Sequence, residues 1–219
     1  MKAEFEHPLP DHAVAVVSMV GRFPGASDPE SLWANVIAGR EGITFFSDDD
    51  IDSSVASELR SDAAYVRAKG LLPESDCFDA GFFGISPLEA RIMDPQHRVL
   101  LELAWAALER SGHRPSDFAG NIGVYVGANW NRYRATNVAA HSALIARFGE
   151  LNTAIANEQD FLATRISYKL DLKGPSSTVS TACSTSLVAI TQAVRALISG
   201  DCDLALAGGV SISTPIKNG

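Results

Sequence analysis

The residues best suited to chemistry lie in the run Ser180-Thr181-Ala182-Cys183-Ser184-Thr185-Ser186, where a β-branched stretch gives way to a long apolar helix. A thiol at a helix start faces backbone N–H groups without intrahelical partners and the positive end of the helix dipole. Both favour thiolate, the nucleophilic form of cysteine. Residue types alone leave a second reading open: lone cysteines are mostly buried and inert, and the surrounding hydroxyls serve equally well as helix caps. Cys77 and Cys202 are expected to be of that buried, inert kind.

Other candidates are weaker. Asp48, Asp49 and Asp50 are a possible cation site, but adjacent acids in a loop are usually just solvated. Gly208-Gly209 lacks the Gly-Lys-Ser/Thr of a phosphate loop. Arg98 and Glu102 stand four apart on one helix face and predict a local ion pair. Asp160 and Arg165 are expected to pair structurally, and Thr185 and Ser186 are candidate substrate contacts whose expected role is to cap or pack.

The elements that must position Cys183 alternate between strand and helix. Ala13–Val20 is a nearly continuous apolar run that predicts a strand buried on both faces. Asp28-Pro29-Glu30 opens a helix whose apolar face is Leu32, Trp33, Val36 and Ile37 and which Gly39 closes. Residues 40–92 read as a surface excursion, with the Phe-rich segment 77–84 returning to an apolar layer. Asp94-Pro95-Gln96 starts a helix ending at Gly112, and Ile122–Gly127 predicts a strand. A helix over 161–168, a turn at Lys173-Gly174-Pro175, the Cys183 helix running to Gly200 and a strand over 204–212 complete the pattern. The Cys183 helix is apolar on more than one face and belongs in the middle of a structure. The class is α/β.

The 219 residues allow a substantial core, and 46% apolar with 20% charged residues describes a globular chain. A net charge of -8 without a basic stripe argues against a nucleic-acid or anionic-membrane surface. No uninterrupted apolar run reaches membrane-helix length, and residues 1–8 lack the apolar core of a secretory signal. Three irregularly spaced cysteines form neither a disulfide framework nor a metal pair, so a reduced cytoplasmic compartment is expected.

Thr181-Ala182-Cys183-Ser184-Thr185-Ser186-Leu187 closely resembles the nucleophile motif of β-ketoacyl synthases, in particular the ketosynthase domains of modular polyketide synthases. Val14–Ala26, Asp94-Pro95-Gln96-His97-Arg98 with Leu100-Leu101-Glu102, Gly123–Gly127, Ser167–Pro175 and Ala207–Val210 match that family in the same order. The resemblance spans residues 13–217. It implies the N-terminal half of a thiolase-like fold, a mainly parallel sheet with a central buried helix carrying Cys183. Residues 1–12 would be a tail or linker, and 13–219 a half-domain incomplete at its C-terminus.

The implied chemistry is acyl transfer from an acyl carrier protein to Cys183, then decarboxylative Claisen condensation with a malonyl or methylmalonyl thioester. The Cys183 N–H would be an oxyanion donor. No cofactor or metal is implied, since substrates arrive on phosphopantetheine. The expected partners are the carrier protein, other polyketide synthase domains and a second copy of the chain, paired near residues 177–182. The family's two catalytic histidines belong to its second half. Here His97 sits in the structural helix start, and His7, His12, His113 and His141 read as surface residues. The alternative is a non-catalytic structural half-domain that needs a complementary chain. A thiolase-like oxidoreductase or a metal enzyme has no cofactor motif behind it.

Overall fold

The computed structural model describes residues 12–53 and 55–213. The expected tail, His7 and the end of the chain from Thr214 lie outside the described residues, apart from His12.

The body is a parallel sheet between two helical layers. Its strands are β3 (Ile122–Ala128), β4 (Ser176–Thr178) and β5 (Leu204–Val210), in the order β4-β3-β5. β3 pairs with β5 over its full length, Ile122 opposite Leu204 and Ala128 opposite Val210. Because side chains alternate along a strand, Ile122, Val124 and Val126 enter one layer while Gly123, Tyr125 and Gly127 face the other.

The first layer holds α4 (Pro95–Ser111) and α7 (Leu162–Leu170), and Leu101, Leu108, Leu162 and Ile166 form its core. Burying each such side chain contributes about 1.5–3 kcal/mol. The Asp94 carboxylate accepts from Gln96 N–H at 2.8 Å, and Gly112 ends α4 in the left-handed conformation at φ 75°. α7 is tied to β4 by hydroxyls: Ala163 N–H donates to Thr178 Oγ1 at 3.2 Å, and Ser167 Oγ lies 3.0 Å from Ser176 Oγ.

The opposite layer is α8 (Thr185–Ser199), which presents Ala189, Ala193 and Ala196 to the sheet. Small residues against the glycines of β3 allow helix and strand to approach closely. Burial is confined to that face: Leu187 is 68% exposed and Ile198 49%. The stretch Ala182–Ser199 is long and apolar enough by composition to cross a membrane, yet it rests on the sheet along one side.

The run Ala13–Val20 departs from the expected buried strand. Among the described residues no strand pairs with it, and Val16 is 84% exposed. It lines a cleft of about 770 Å³ whose other walls are α8, β5 and the end of α4. An apolar run of this kind is suited to cover on both sides, and here the cleft lies between it and β5.

α1 (Pro29–Ile37) precedes the excursion, which carries β1 (Ile43–Phe45), α2 (Ser57–Arg60) and β2 (Ala68–Gly70), with β1 and β2 antiparallel. Asp28 and Ser31 form a capping box at the start of α1. Its expected apolar face is open to solvent at Trp33, Val36 and Ile37. Phe78 and Phe83 do return to the core, stacked 5.5 Å apart just before α3 (Pro87–Ile92). Between β3 and α7 lie α5 (Ser142–Phe148) and α6 (Glu150–Ile155), two short helices.

Several pairings differ from expectation. Arg98 donates to Asp76 O and lies over the Tyr133 ring, while Glu102 pairs with Arg22. Arg165 pairs with Glu89 at 2.8 Å instead of Asp160. In each case a partner remote in sequence approaches more favourably than the neighbour on the chain. Cys77 is exposed, contrary to the expected burial, whereas Cys202 is buried, and burial pushes its thiol up. His113 is half-buried rather than on the surface, edge-on to Phe118.

Candidate active site

Cys183 lies beyond the C-terminal end of β4. Val179 N–H continues the ladder to Val126 O at 2.8 Å, after which Ser180 and Thr181 carry the chain across the sheet. Ala182 then adopts φ 52°, a left-handed conformation that costs an L-residue about 1–2 kcal/mol. Strain of this kind persists only where the surroundings enforce it, and it clusters at functional sites. It reverses the chain at once, so that Ala182–Ser184 form a 3₁₀ turn leading into α8.

The hydroxyls of the motif hold that turn. Ser184 Oγ donates to Thr181 O at 2.8 Å, and Thr185 Oγ1 donates to Ala182 O at 2.8 Å while accepting from Thr181 N–H at 3.0 Å. They brace the turn from within and are not the helix caps the composition suggested, since neither Thr181 nor Ser184 makes a side-chain cap bond. The turn's backbone bonds run from Ser184 N–H to Thr181 O and from Thr185 N–H to Ala182 O. The Cys183 N–H stands outside that pair, as N–H groups at helix starts do. The thiol is exposed. A thiol and a backbone donor on the same residue are the groups that attack on a carbonyl, whose oxygen becomes negative, would use.

The turn is seated on β3 and β5. A Cβ built on Gly127 would lie 2.3 Å from Thr185 Cγ2 and 2.1 Å from Val179 O, so only glycine admits this approach. On β5, Gly209 would bring a Cβ to 3.4 Å from Ser186 Cβ. Gly209 is therefore part of the seat for the helix start, while Gly208 faces open space. A signal for Gly127 existed in its place at the end of a predicted strand, although its contact with Thr185 required the fold.

Gln96 entered the sequence reading only as part of the Asp94-Pro95-Gln96 helix start, with no role of its own. It is 1% exposed, and its amide joins the ends of two strands. Gln96 Oε1 accepts from Asn129 N–H at 3.1 Å and from Ile212 N–H at 3.3 Å, and Gln96 Nε2 donates to Asn129 O at 3.1 Å.

The remaining candidates lie elsewhere. His97 is buried beside Gln96 with both ring nitrogens unpartnered among the described residues, and burial, aided by the charge of Arg165, holds its imidazole down at about 3. It is a neutral core residue. His12 and His141 are exposed. Asp48 pairs with Arg67, and Asp50 accepts from Ser47 Oγ at 2.6 Å. Among the described residues no three His, Cys, Asp or Glu side chains are grouped to hold a metal.

Residues 11–218 match the model of the β-ketoacyl synthase N-terminal domain. The chain is 46% identical over 218 residues to a phenolphthiocerol/phthiocerol polyketide synthase component of Mycobacterium tuberculosis, covering 96% of this chain and 15% of that protein. It is 43% identical over 212 residues to the pikromycin polyketide synthase component PikAII of Streptomyces venezuelae, covering 94% and 6%. Ketosynthase twelve of the bacillaene polyketide synthase of Bacillus amyloliquefaciens superposes with a TM-score of 0.80 at 32% identity, over 92% of this chain and 36% of that one. The chain thus spans about a third of such a ketosynthase and a much smaller part of the whole synthases. With its α/β core and exposed cysteine turn, it belongs to the β-ketoacyl synthase family, as the thiolase-like N-terminal domain of a polyketide ketosynthase.

Proposed function

We propose that Cys183 is the acyl-accepting nucleophile of a ketosynthase that extends polyketide chains. The observation that carries this reading is the strained turn: Ala182 at φ 52° presents an exposed Cys183 at the start of α8. The sulfur attacks the carbonyl of an acyl thioester carried on the phosphopantetheine of an acyl carrier protein. The tetrahedral oxygen is held by the Cys183 N–H and a second donor, and the carrier thiol leaves. A malonyl-type thioester then loses CO₂. Its enolate carbon attacks the acyl-cysteine carbonyl, forming the new C–C bond and releasing the cysteine sulfur.

The second step needs hydrogen-bond donors for the enolate, and the side-chain bonds at the turn come from its own Ser and Thr hydroxyls. His97 is sealed in the core with a neutral ring. The enolate donors are proposed to come from the part of the ketosynthase outside this chain, which accounts for the larger share of the solved relative. A carrier protein, other synthase domains and a second copy of the chain are its proposed partners. One observation favours the second reading, a structural half-domain that needs a complementary chain for any reaction: the open apolar face of α8 at Leu187, Ile190 and Ile198.

Intact-mass analysis after incubation with an acyl-N-acetylcysteamine thioester separates the two. A single acyl adduct, absent in Cys183→Ala, is expected if this chain builds the nucleophile. No adduct on a folded chain would favour the structural half-domain.

A further inference from the structure

We infer that Gln96 is a positioning residue for the Cys183 turn, acting through the ends of β3 and β5. The inference rests on the reading of Cys183 as the reactive thiol. Gln96 follows the buried cap Asp94, whose Oδ2 accepts from Gln96 Nε2 at 3.3 Å, so the amide is oriented from its own helix start. Its far side binds Asn129, one residue past β3, in both directions, and Ile212, two residues past β5. The Asn129 N–H is shared with Val210 O at 3.0 Å, and Asn129 Nδ2 donates to Ser211 Oγ at 3.1 Å. The backbone ladder sets the spacing of β3 and β5 up to Asn129, and one buried amide ties the two chains together just beyond it.

Those are the strands on which the turn is seated. Gly127, two residues before Asn129, touches Thr185, and Gly209, three before Ile212, approaches Ser186. Thr185 in turn holds Thr181 and Ala182, the residues that enforce the reversal at Cys183. A shift of the strand ends at Gln96 is passed to the turn chiefly through Gly127, whose approach to Thr185 leaves no room even for a Cβ. Interiors are packed densely enough to transmit such strain, and an ångström of misplacement at a reacting group costs up to about a hundredfold in rate.

The chain carries its own controls for a test. Cys202 is buried against α8 and reports loss of packing, and Cys77 is exposed and remote from the turn in sequence. Peptide-resolved iodoacetamide rates for all three cysteines are measured in the full chain, in Gln96→Met and in Gln96→Glu. Gln96→Met removes every amide bond, whereas Gln96→Glu keeps the acceptor and loses the donor. In Gln96→Met the Cys183 rate is expected to fall about tenfold as the turn that presents the thiol at the helix start loosens, with Cys202 still protected and Cys77 unaltered. Gln96→Glu sets a carboxylate against the acceptors Asp94 Oδ2 and Asn129 O and is expected to change the Cys183 rate at least as much as Gln96→Met. An unchanged Cys183 rate in both variants overturns the inference. So does a Cys183 change that appears only together with exposure of Cys202, since that is loss of fold. The reading of Cys183 is tested separately, in the unsubstituted chain: it fails there if Cys183 reacts no faster than Cys77.

Discussion

Gly127 lies directly beneath Thr185, so close that a single added carbon would stand 2.3 Å from the threonine methyl and 2.1 Å from Val179 O. The relationship joins the central strand to the first residue of α8, two positions after Cys183. Gly127→Ala is expected to destabilise the fold by about 1–3 kcal/mol, the range for overpacking. It should also lower Cys183 acylation in the fraction that remains folded. Denaturant midpoints with adduct mass spectra check both effects, and wild-type values for both would mean that the helix start yields freely.

Ala182 makes an opposed pair of predictions. At φ 52° a glycine is relieved of the steric cost while a β-branched residue is not accommodated. Ala182→Val should destabilise by about 1–3 kcal/mol, and Ala182→Gly should be neutral or stabilising by up to about 1 kcal/mol. Thermal unfolding of the two variants should bracket that of the parent chain. The glycine variant should acylate more slowly, because the turn is no longer held in one conformation.

His97 gives the fold a pH dependence of known sign. Its folded value lies at about 3, below the ordinary 6.5, so the unfolded chain binds the proton more readily. The stability this group contributes is complete above pH 6.5 and is lost as pH falls toward about 3. Between those limits its share of the slope is about 1.4 kcal/mol per pH unit. Urea titrations of His97→Gln from pH 4 to 6 should show a slope shallower by that amount. An identical slope would mean that His97 is protonated in the fold.

The open face of α8 predicts association. Leu187, Ile190 and Ile198 are each 46% exposed or more, and contiguous apolar surface seeks cover. Sedimentation velocity should find the chain self-associated, and Leu187→Glu combined with Ile198→Lys should shift it to monomer with its helical signal intact. A monomeric parent chain with a sharp, cooperative unfolding transition would count heavily against this.

Much of this architecture was legible in the sequence because short-range signals carry it. Asp94-Pro95 and Gly112 bound α4, Gly200 ends α8, and Ile122–Ala128 is a strand, as local caps and apolar runs imply. The nucleophile motif and the ordered motifs around it carried the family. Residues 129–160 offered no such signal, and α5 and α6 are too short to form without tertiary contacts.

What the sequence by itself determined was the alternation of elements, the class and the place of Cys183 at a helix start. Each depends on neighbours a few residues apart, whose preferences are written locally. Only the tertiary structure decided that Ala13–Val20 is unpaired among the described residues, that α8 is covered on one face, and that Ala182 is left-handed. It alone brought Gln96 to Asn129 and Ile212, 33 and 116 residues away. It also sent Arg98, Glu102 and Arg165 to partners other than those their spacing suggested. A hydrogen bond or ion pair forms with whichever group the packed layers bring within about 3 Å, and that distance is a property of the fold.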